Sequence, residues 1–284
     1  MKKNLSIAMI LVLMVCGAAF GRAASEGGAS SPGTAGAPVE LVVFAAASMT
    51  NTLQDIAVLY KTVAPNVSLV YTFDSSGTLK TQIENHAYCD LFISAGQLQV
   101  DQLDIVASPS VNTGRLDFVL QGTRVDLLEN QIALCVPTGN PAGIQSFNDM
   151  AARLRSPTPN FLFAMGNSDV PVGQYTQRIF TFYNLDERAL ASRITYGSNV
   201  REVTTQISAG SVSCGVVYQT DAFSAGLTVV DRATSEMLLG QRVIYPAAVM
   251  KNSRNVDATK AFLAYLQTPS AMTVFEKVGF APVR

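Results

Sequence analysis

The residues of this 284-residue chain that could do chemistry are hydroxyls placed where helical patterns begin. Ser48 closes the run AAAS (45–48), Ser75 and Ser76 stand in DSSG (74–77), and Tyr218 ends CGVVY (214–218). Pro171-Val172-Gly173 opens one helical pattern and Ser198-Asn199-Val200 another. Each stretch offers hydrogen-bond donors, either hydroxyls or the free N–H groups of a helix's first turn. None contributes Lys or His. Donors of that kind, closing from two sides, suit a small compact anion held by dipoles and N–H groups. The plainer alternative makes Ser48 and Ser76 helix N-caps, Val172 and Val200 first-turn residues, and Tyr218 a strand-end aromatic. What favours the anion is recurrence at strand ends in both halves, which independent capping does not require.

Other chemistries have little to work with. Trp is absent and His86 is the only histidine. A serine hydrolase built on Ser48 or Ser76 would need His86 as its base, and the chain has no GxSxG elbow. His86 and Cys89, three residues apart, are two ligands at most, so a surface histidine is the better reading and no metal or cofactor is expected. A binder of amino or organic acids would want a cleft cation. Arg201 is the one candidate, and a supporting role behind Val200 suits it better. Asp74 beside the second serine would repel a dianion and is expected to point away. The net charge of −1, with 14% charged residues and no Lys/Arg run, gives no signal for nucleic acid.

Positioning these residues requires strands that end at them. From Val39 the chain alternates short apolar strands with helical patterns. LVVFAA precedes a helix with Leu53, Ile56, Ala57 and Tyr60 on one face, closed by Pro65. VSLVYTF, SSGTLKTQIEN and DLFIS continue a β-α-β-α-β order that argues for an α/β class with a mainly parallel sheet in each lobe, flanked by helices. The grammar restarts near residue 131 with QIALCVP, FLFAMG, a helix after Pro171, RITYG, a helix from Val200, and CGVVYQTDA. Two helices split at Thr268-Pro269 end the chain, the second stopped by Gly279. With 48% hydrophobic residues the chain can bury the cores of two lobes. The expected division is 39–130 plus 246–284 for the first lobe and 131–245 for the second. Crossovers near Asn130–Cys135 and Val243–Val249 would make a hinge, with the ligand cleft at the hinge.

Residues 1–22 read as an export signal: Lys2 and Lys3, then an apolar run ending near Phe20, too short to span a membrane. Residues 23–38 hold no bulky apolar side chain and read as a flexible tether. Cys16, in LMVC, is a candidate lipid-anchor site, and cleavage near Arg22-Ala23-Ala24 is the alternative. Cys89, Cys135 and Cys214 lie in apolar or strand-like contexts and read as buried thiols.

VFAAASMTNTLQDIA, FDSSGTLKTQIENHAYCDLFISAG, VPVGQYTQ, GSNVREV, GVVYQTDA and GFAPV resemble, in family order, the periplasmic molybdate-binding proteins of molybdate ABC importers. The likeness covers essentially everything after Pro38. It implies the two-lobed periplasmic binding protein fold, an extracytoplasmic location and no catalysis. It also implies a monomer that delivers molybdate or tungstate to an importer permease. In that family two serine hydroxyls, several backbone amides and a tyrosine hydroxyl hold the oxyanion; by motif position these fall on Ser48, Ser76, Val172, Val200 and Tyr218. Valine at 172 departs from the usual alanine, an exchange that a backbone N–H donor survives. Sulfate or phosphate would keep the class and change the ligand.

Overall fold

The computed structural model describes residues 37–156 and 160–283; the expected export signal, Cys16 and most of the tether lie outside the described residues. The first stretch runs β1 (Val39–Ala46), α1 (Thr50–Val63), β2 (Val67–Asp74), α2 (Ser76–Glu84), β3 (Leu91–Ile93), α3 (Gln97–Asp101) and β4 (Val125–Asn130). The second runs β5 (Ile132–Val136), α4 (Phe147–Arg155), β6 (Phe163–Gly166), α5 (Pro171–Phe182), β7 (Ile194–Gly197), α6 (Val200–Ser208), β8 (Cys214–Tyr218), α7 (Gln219–Ala225) and β9 (Thr228–Arg232). The chain closes with β10 (Val243–Val249), α8 (Val256–Tyr265), α9 (Pro269–Val278) and β11 (Ala281–Pro282).

Two sheets result, ordered β11-β4-β10-β3-β1-β2 and β7-β6-β8-β5-β9. The expected parallel cores are present: β1 pairs in parallel with β2 and β3, and β6 with β7 and β8. Each core is extended by antiparallel pairings, β3-β10-β4-β11 in the first sheet and β8-β5-β9 in the second, so both sheets are mixed. The reason lies in the crossings. The chain leaves the first sheet after Asn130 and re-enters it at Val243, and the strand that follows each crossing, β5 and then β10, runs against the parallel core it joins.

β1 is buried on both faces. Val43 and Ala45 join the main core, while Phe44 joins a second cluster with Leu79, Ile83 and Phe92. On α1, Leu53, Ile56 and Tyr60 recur at helical spacing and are buried, each worth about 1.5–3 kcal/mol for an aliphatic side chain removed from water. Tyr60 packs between Phe262 and Tyr265 of α8, with ring centroids 4.9 Å apart in both pairs. That contact ties the C-terminal helices to the first lobe. α9 ends at Gly279, whose φ of +106° is left-handed and suited to glycine.

Register brings the carboxyl ends of the parallel strands to one edge in each lobe. Ala46 stands beside Asp74, and Ala45 beside Ile93. In the second lobe Gly166 stands beside Gly197, and β8 runs the same way to end at Tyr218. Open α/β sheets place ligands beyond such edges.

Candidate functional site

On the first-lobe side, the small residues at the end of β1 let the chain turn tightly. Ala47, Ser48 and Met49 form a single 3-10 turn before α1, and neither that turn nor α1 has a side-chain cap. Ser48 therefore caps nothing. Its Oγ lies 3.0 Å from the Tyr245 hydroxyl, and Tyr245 Oη accepts from Asn130 Nδ2 at 3.2 Å. Pro246 follows Tyr245 in β10, and the ladder shifts register between them; proline has no N–H to give, so a bulge is tolerated where a regular pair is not. At α2 the cap is Ser75, whose Oγ accepts from the Thr78 N–H at 3.1 Å. Ser76 is thereby released. Its Oγ accepts the Ala95 N–H at 2.9 Å, which leaves its own proton to donate.

The second lobe presents two helix N-termini and one hydroxyl. α5 starts at Pro171, an N1 proline, after Val170, which gives no side-chain cap. Gly173 permits the entry turn, since a Cβ there would collide with the carbonyls of Gly166 and Asn167. α6 is capped by Asn199, whose Oδ1 accepts from Arg201 and Glu202, so Val200 keeps a first-turn N–H outside that cap. Tyr218 ends β8, and its hydroxyl donates across the cleft to the Ala95 carbonyl at 3.4 Å.

These parts enclose one chamber. Ser48, Ser76, Val200 and Tyr218 line it, together with Ala46, Ala47 and Ala95 and the α5 entry at Val170 and Pro171. Val172 stands one residue beyond that lining, its side chain buried in the core and its N–H in the first turn of α5. The chamber gives about 10 Å³ to the centre of a water-sized sphere, a ball of about 1.3 Å radius. That is the room of about one water, so the chamber is small and closed. A larger depression of about 460 Å³, beside Gln82, Asn85, His86 and Asp169, is an open groove on the outside of α2. Size alone would favour it, but converging donors favour the chamber.

The electrostatics keep the donors protonated. Burial pushes the Tyr218 and Tyr245 hydroxyls well above the ordinary tyrosine range. Three helices of nine or more residues, α2, α5 and α6, aim their positive ends at the chamber. Arg201 is exposed and lies outside the lining, bonded to the Ala47 carbonyl and to Asn51. Asp74, expected to point away, stands in the chamber wall; its Oδ1 is engaged by the Ser75 N–H at 2.7 Å and by Asn199 Nδ2 at 3.4 Å. His86 packs on Phe118, and the Cys89 thiol turns to the Leu91 carbonyl, so the two do not form a pair. Among the described residues no group of three or more His, Cys, Asp or Glu could hold a metal ion. Cys89, Cys135 and Cys214 are buried free thiols. Burial pushes the Cys135 thiol up to about 12. No helix among the described residues is long and apolar enough to cross a membrane.

Sequence reasoning missed Tyr245 and Ala95, which touch Ser48 and Ser76, and Asn130, which touches Tyr245. Their partners stand far away along the chain, and only the two crossovers, at Asn130 and at β10, pointed to their neighbourhood.

Two α/β lobes that share two crossings and close on a donor-lined chamber define a solute-binding protein. The chain belongs to the bacterial extracellular solute-binding protein family, whose model matches residues 41–281. It is 32% identical over 248 residues to YvgL of Bacillus subtilis, covering 85% of this chain and 86% of that protein. It is likewise 32% identical over 247 residues to the molybdate-binding protein ModA of Escherichia coli, covering 85% and 88%. Among solved structures, the periplasmic molybdate-binding protein of Azotobacter vinelandii matches with a TM-score of 0.71 at 20% identity, covering 86% of this chain and 100% of that one. That last likeness is one of fold.

Proposed function

We propose that the chain captures molybdate, and tungstate with it, outside the cytoplasm and delivers it to the permease of an ABC importer. The observation that carries this reading is the chamber, whose donors are hydroxyls and helix N–H groups from both lobes and whose wall holds no cationic side chain. A fully deprotonated tetrahedral dianion offers only acceptors and matches that set. Ser48 and Ser76 donate hydroxyl protons, Tyr218 turns its proton from the Ala95 carbonyl to the anion, and Val172 and Val200 donate N–H groups. Residues 39–130 plus 246–284 close against 131–245 about the two crossings, as a monomer. The names of two relatives support the solute and the transporter: ModA is a molybdate-binding protein, and YvgL's name is that of an ABC transporter substrate-binding lipoprotein. Cys16 is the proposed lipid-anchor site, and the mass of the native N-terminus reports it.

The ranking follows from charge and size. Phosphate near neutrality keeps a proton that needs an acceptor; Asp74 is the one carboxylate in the chamber wall that could take it, with its Oδ1 already holding the Ser75 N–H and Asn199 Nδ2. Sulfate carries the right charge but is smaller, and its place below molybdate rests on the likeness to molybdate-binding proteins. Calorimetric titration with molybdate, tungstate, sulfate and phosphate at one pH and ionic strength is the test. Molybdate and tungstate should bind well above sulfate, with phosphate weakest. Sulfate equal to molybdate would overturn the solute, and tight phosphate binding abolished by Asp74→Asn would overturn the donor-only site.

A further inference from the structure

The first turn of α6 reaches across the cleft on both sides of Val200. Arg201 Nε donates to the Ala47 carbonyl at 3.2 Å, and its Nη2 donates to Asn51 Oδ1 at 2.6 Å. Asn199, while capping the helix with its oxygen, turns Nδ2 to Asp74 Oδ1 at 3.4 Å. The first-lobe acceptors stand beside the two serines of the chamber: Ala47 precedes Ser48, and Asp74 lies two residues before Ser76. Close packing nearby fits the same arrangement. Gly77 lies so near Asp169 of the second lobe that a Cβ would run into its carbonyl.

The Arg201 contact acts on Ser48 through one peptide unit. A trans peptide points its C=O and N–H in opposite directions. With the Ala47 carbonyl turned to Arg201, the Ser48 N–H is turned away from it. A cation on the carbonyl also polarises the amide and strengthens its N–H as a donor. Arg201 thus works on an anion it does not touch.

We propose that Arg201 is a positioning residue for solute retention. With Asn199 it forms a clasp that ties the second lobe to the two serine-bearing turns, and both arms must break before the cleft opens. This rests on the oxyanion-binding reading above. A single exposed arginine contact is often worth nothing. The two-pronged geometry is what distinguishes this contact, since one guanidinium fork meets a carbonyl and an amide oxygen together.

The test uses the full chain with molybdate as the probe, in the parent, Arg201→Gln and Arg201→Lys. Calorimetry gives affinity, stopped-flow mixing gives association and release, and melting without solute reports the fold. Arg201→Gln should bind about tenfold more weakly, with the loss in the release rate, an unchanged association rate and an unchanged ligand-free melting temperature. Arg201→Lys keeps the charge, loses the fork and should fall between. Parental affinity and release in Arg201→Gln would overturn the clasp and leave the oxyanion reading standing. Weaker binding with a lowered ligand-free melting temperature would make Arg201 a folding residue and also overturn it. A parent that binds none of the four oxyanions would overturn both.

Discussion

The two ends of β3 use the same chemistry for opposite purposes. Just before the strand, Asp90 is fully buried and its carboxylate accepts from the Val42 N–H at 2.8 Å and from the Tyr88 and Ser253 hydroxyls at 2.6 Å each. Just after it, Ser94 and Ala95 lead into the chamber, where Ser76, Ser48 and Tyr218 bring hydroxyls together from both lobes. One end surrounds the protein's own anion with donors and so fixes the fold. The other end gathers donors for an anion that comes from outside. A third place shows what happens when a carboxylate is buried with too few donors: Asp221 Oδ2 has no hydrogen-bond partner among the described residues, and burial pushes that acid up to about 7 despite the pull of Arg201 and a backbone N–H. Donors, more than burial, decide whether this protein holds a negative charge.

The largest effect should come from the Asp90 end. Asp90→Ala removes a buried acceptor from the Val42 N–H and from the half-buried Tyr88 and Ser253 hydroxyls. It should cost about 3–5 kcal/mol of stability, the scale of breaking a buried charged network, and urea unfolding measures it. Oxyanion affinity of the folded fraction should be unchanged. If affinity falls in step with stability, the two ends of β3 are not separate devices.

Asp221 comes next and reads through pH. In the unfolded chain its carboxyl ionises near pH 4; in the fold it ionises at about 7. Between those values the folded chain keeps a proton that the unfolded chain has lost, so this group's contribution to stability falls as pH rises and levels off above about 7. Asp221→Asn should remove that fall, so the variant gains on the parent from pH 5 to pH 8 in unfolding experiments. A constant difference across that range would mean that Asp221 stays ionised throughout.

The serines sharpen the contrast between capping and binding, on a smaller scale. Ser48→Ala and Ser76→Ala should each lose about 1.5–3 kcal/mol of oxyanion binding, the worth of a hydrogen bond to a charged group. Ser75→Ala removes the cap of α2 and should lose about 1 kcal/mol of stability instead, with binding kept. Titrations paired with melting curves separate the two patterns. A reversal, with Ser76→Ala behaving as the cap mutant, would break the assignment.

That last pair marks where the sequence stops being legible. DSSG announces a helix start with hydroxyls, but the choice between Ser75 and Ser76 for the cap depends on which one faces Ala95, a residue of the next strand's loop. The parallel cores were readable because their apolar runs, helical spacings and Gly/Pro stops are local. β4, α3 and α4 were not read, and the mixed character of the sheets follows from crossings that no local pattern encodes. Ser48, Ser76, Val200 and Tyr218 could be placed together because strand ends share an edge. Tyr245 could not be joined to Ser48, 197 residues away, nor to Asn130, 115 residues away.

Tyr245 gives the smallest effect and the most specific one. Asn130 Nδ2 donates to the Tyr245 oxygen, so the Tyr245 proton is free to go to Ser48 Oγ, and the Ser48 proton is then left for the chamber. Burial keeps Tyr245 protonated, so it has a proton to give. Tyr245→Phe deletes the middle hydroxyl and keeps the ring packed between Tyr218 and Phe280, whose centroids lie 5.6 Å and 5.1 Å away. Asn130 is not stranded, because Nδ2 also donates to Thr220 Oγ1 at 2.9 Å. Stability should therefore change little. Binding should weaken by about 0.5–1.5 kcal/mol, the net worth of one neutral hydrogen bond, which is less than Ser48→Ala costs. In a Ser48→Ala background the same change should cost nothing further, because the residue it orients has lost its hydroxyl. Full additivity of the two substitutions in a calorimetric double-mutant cycle would show that Tyr245 acts on the solute by another route.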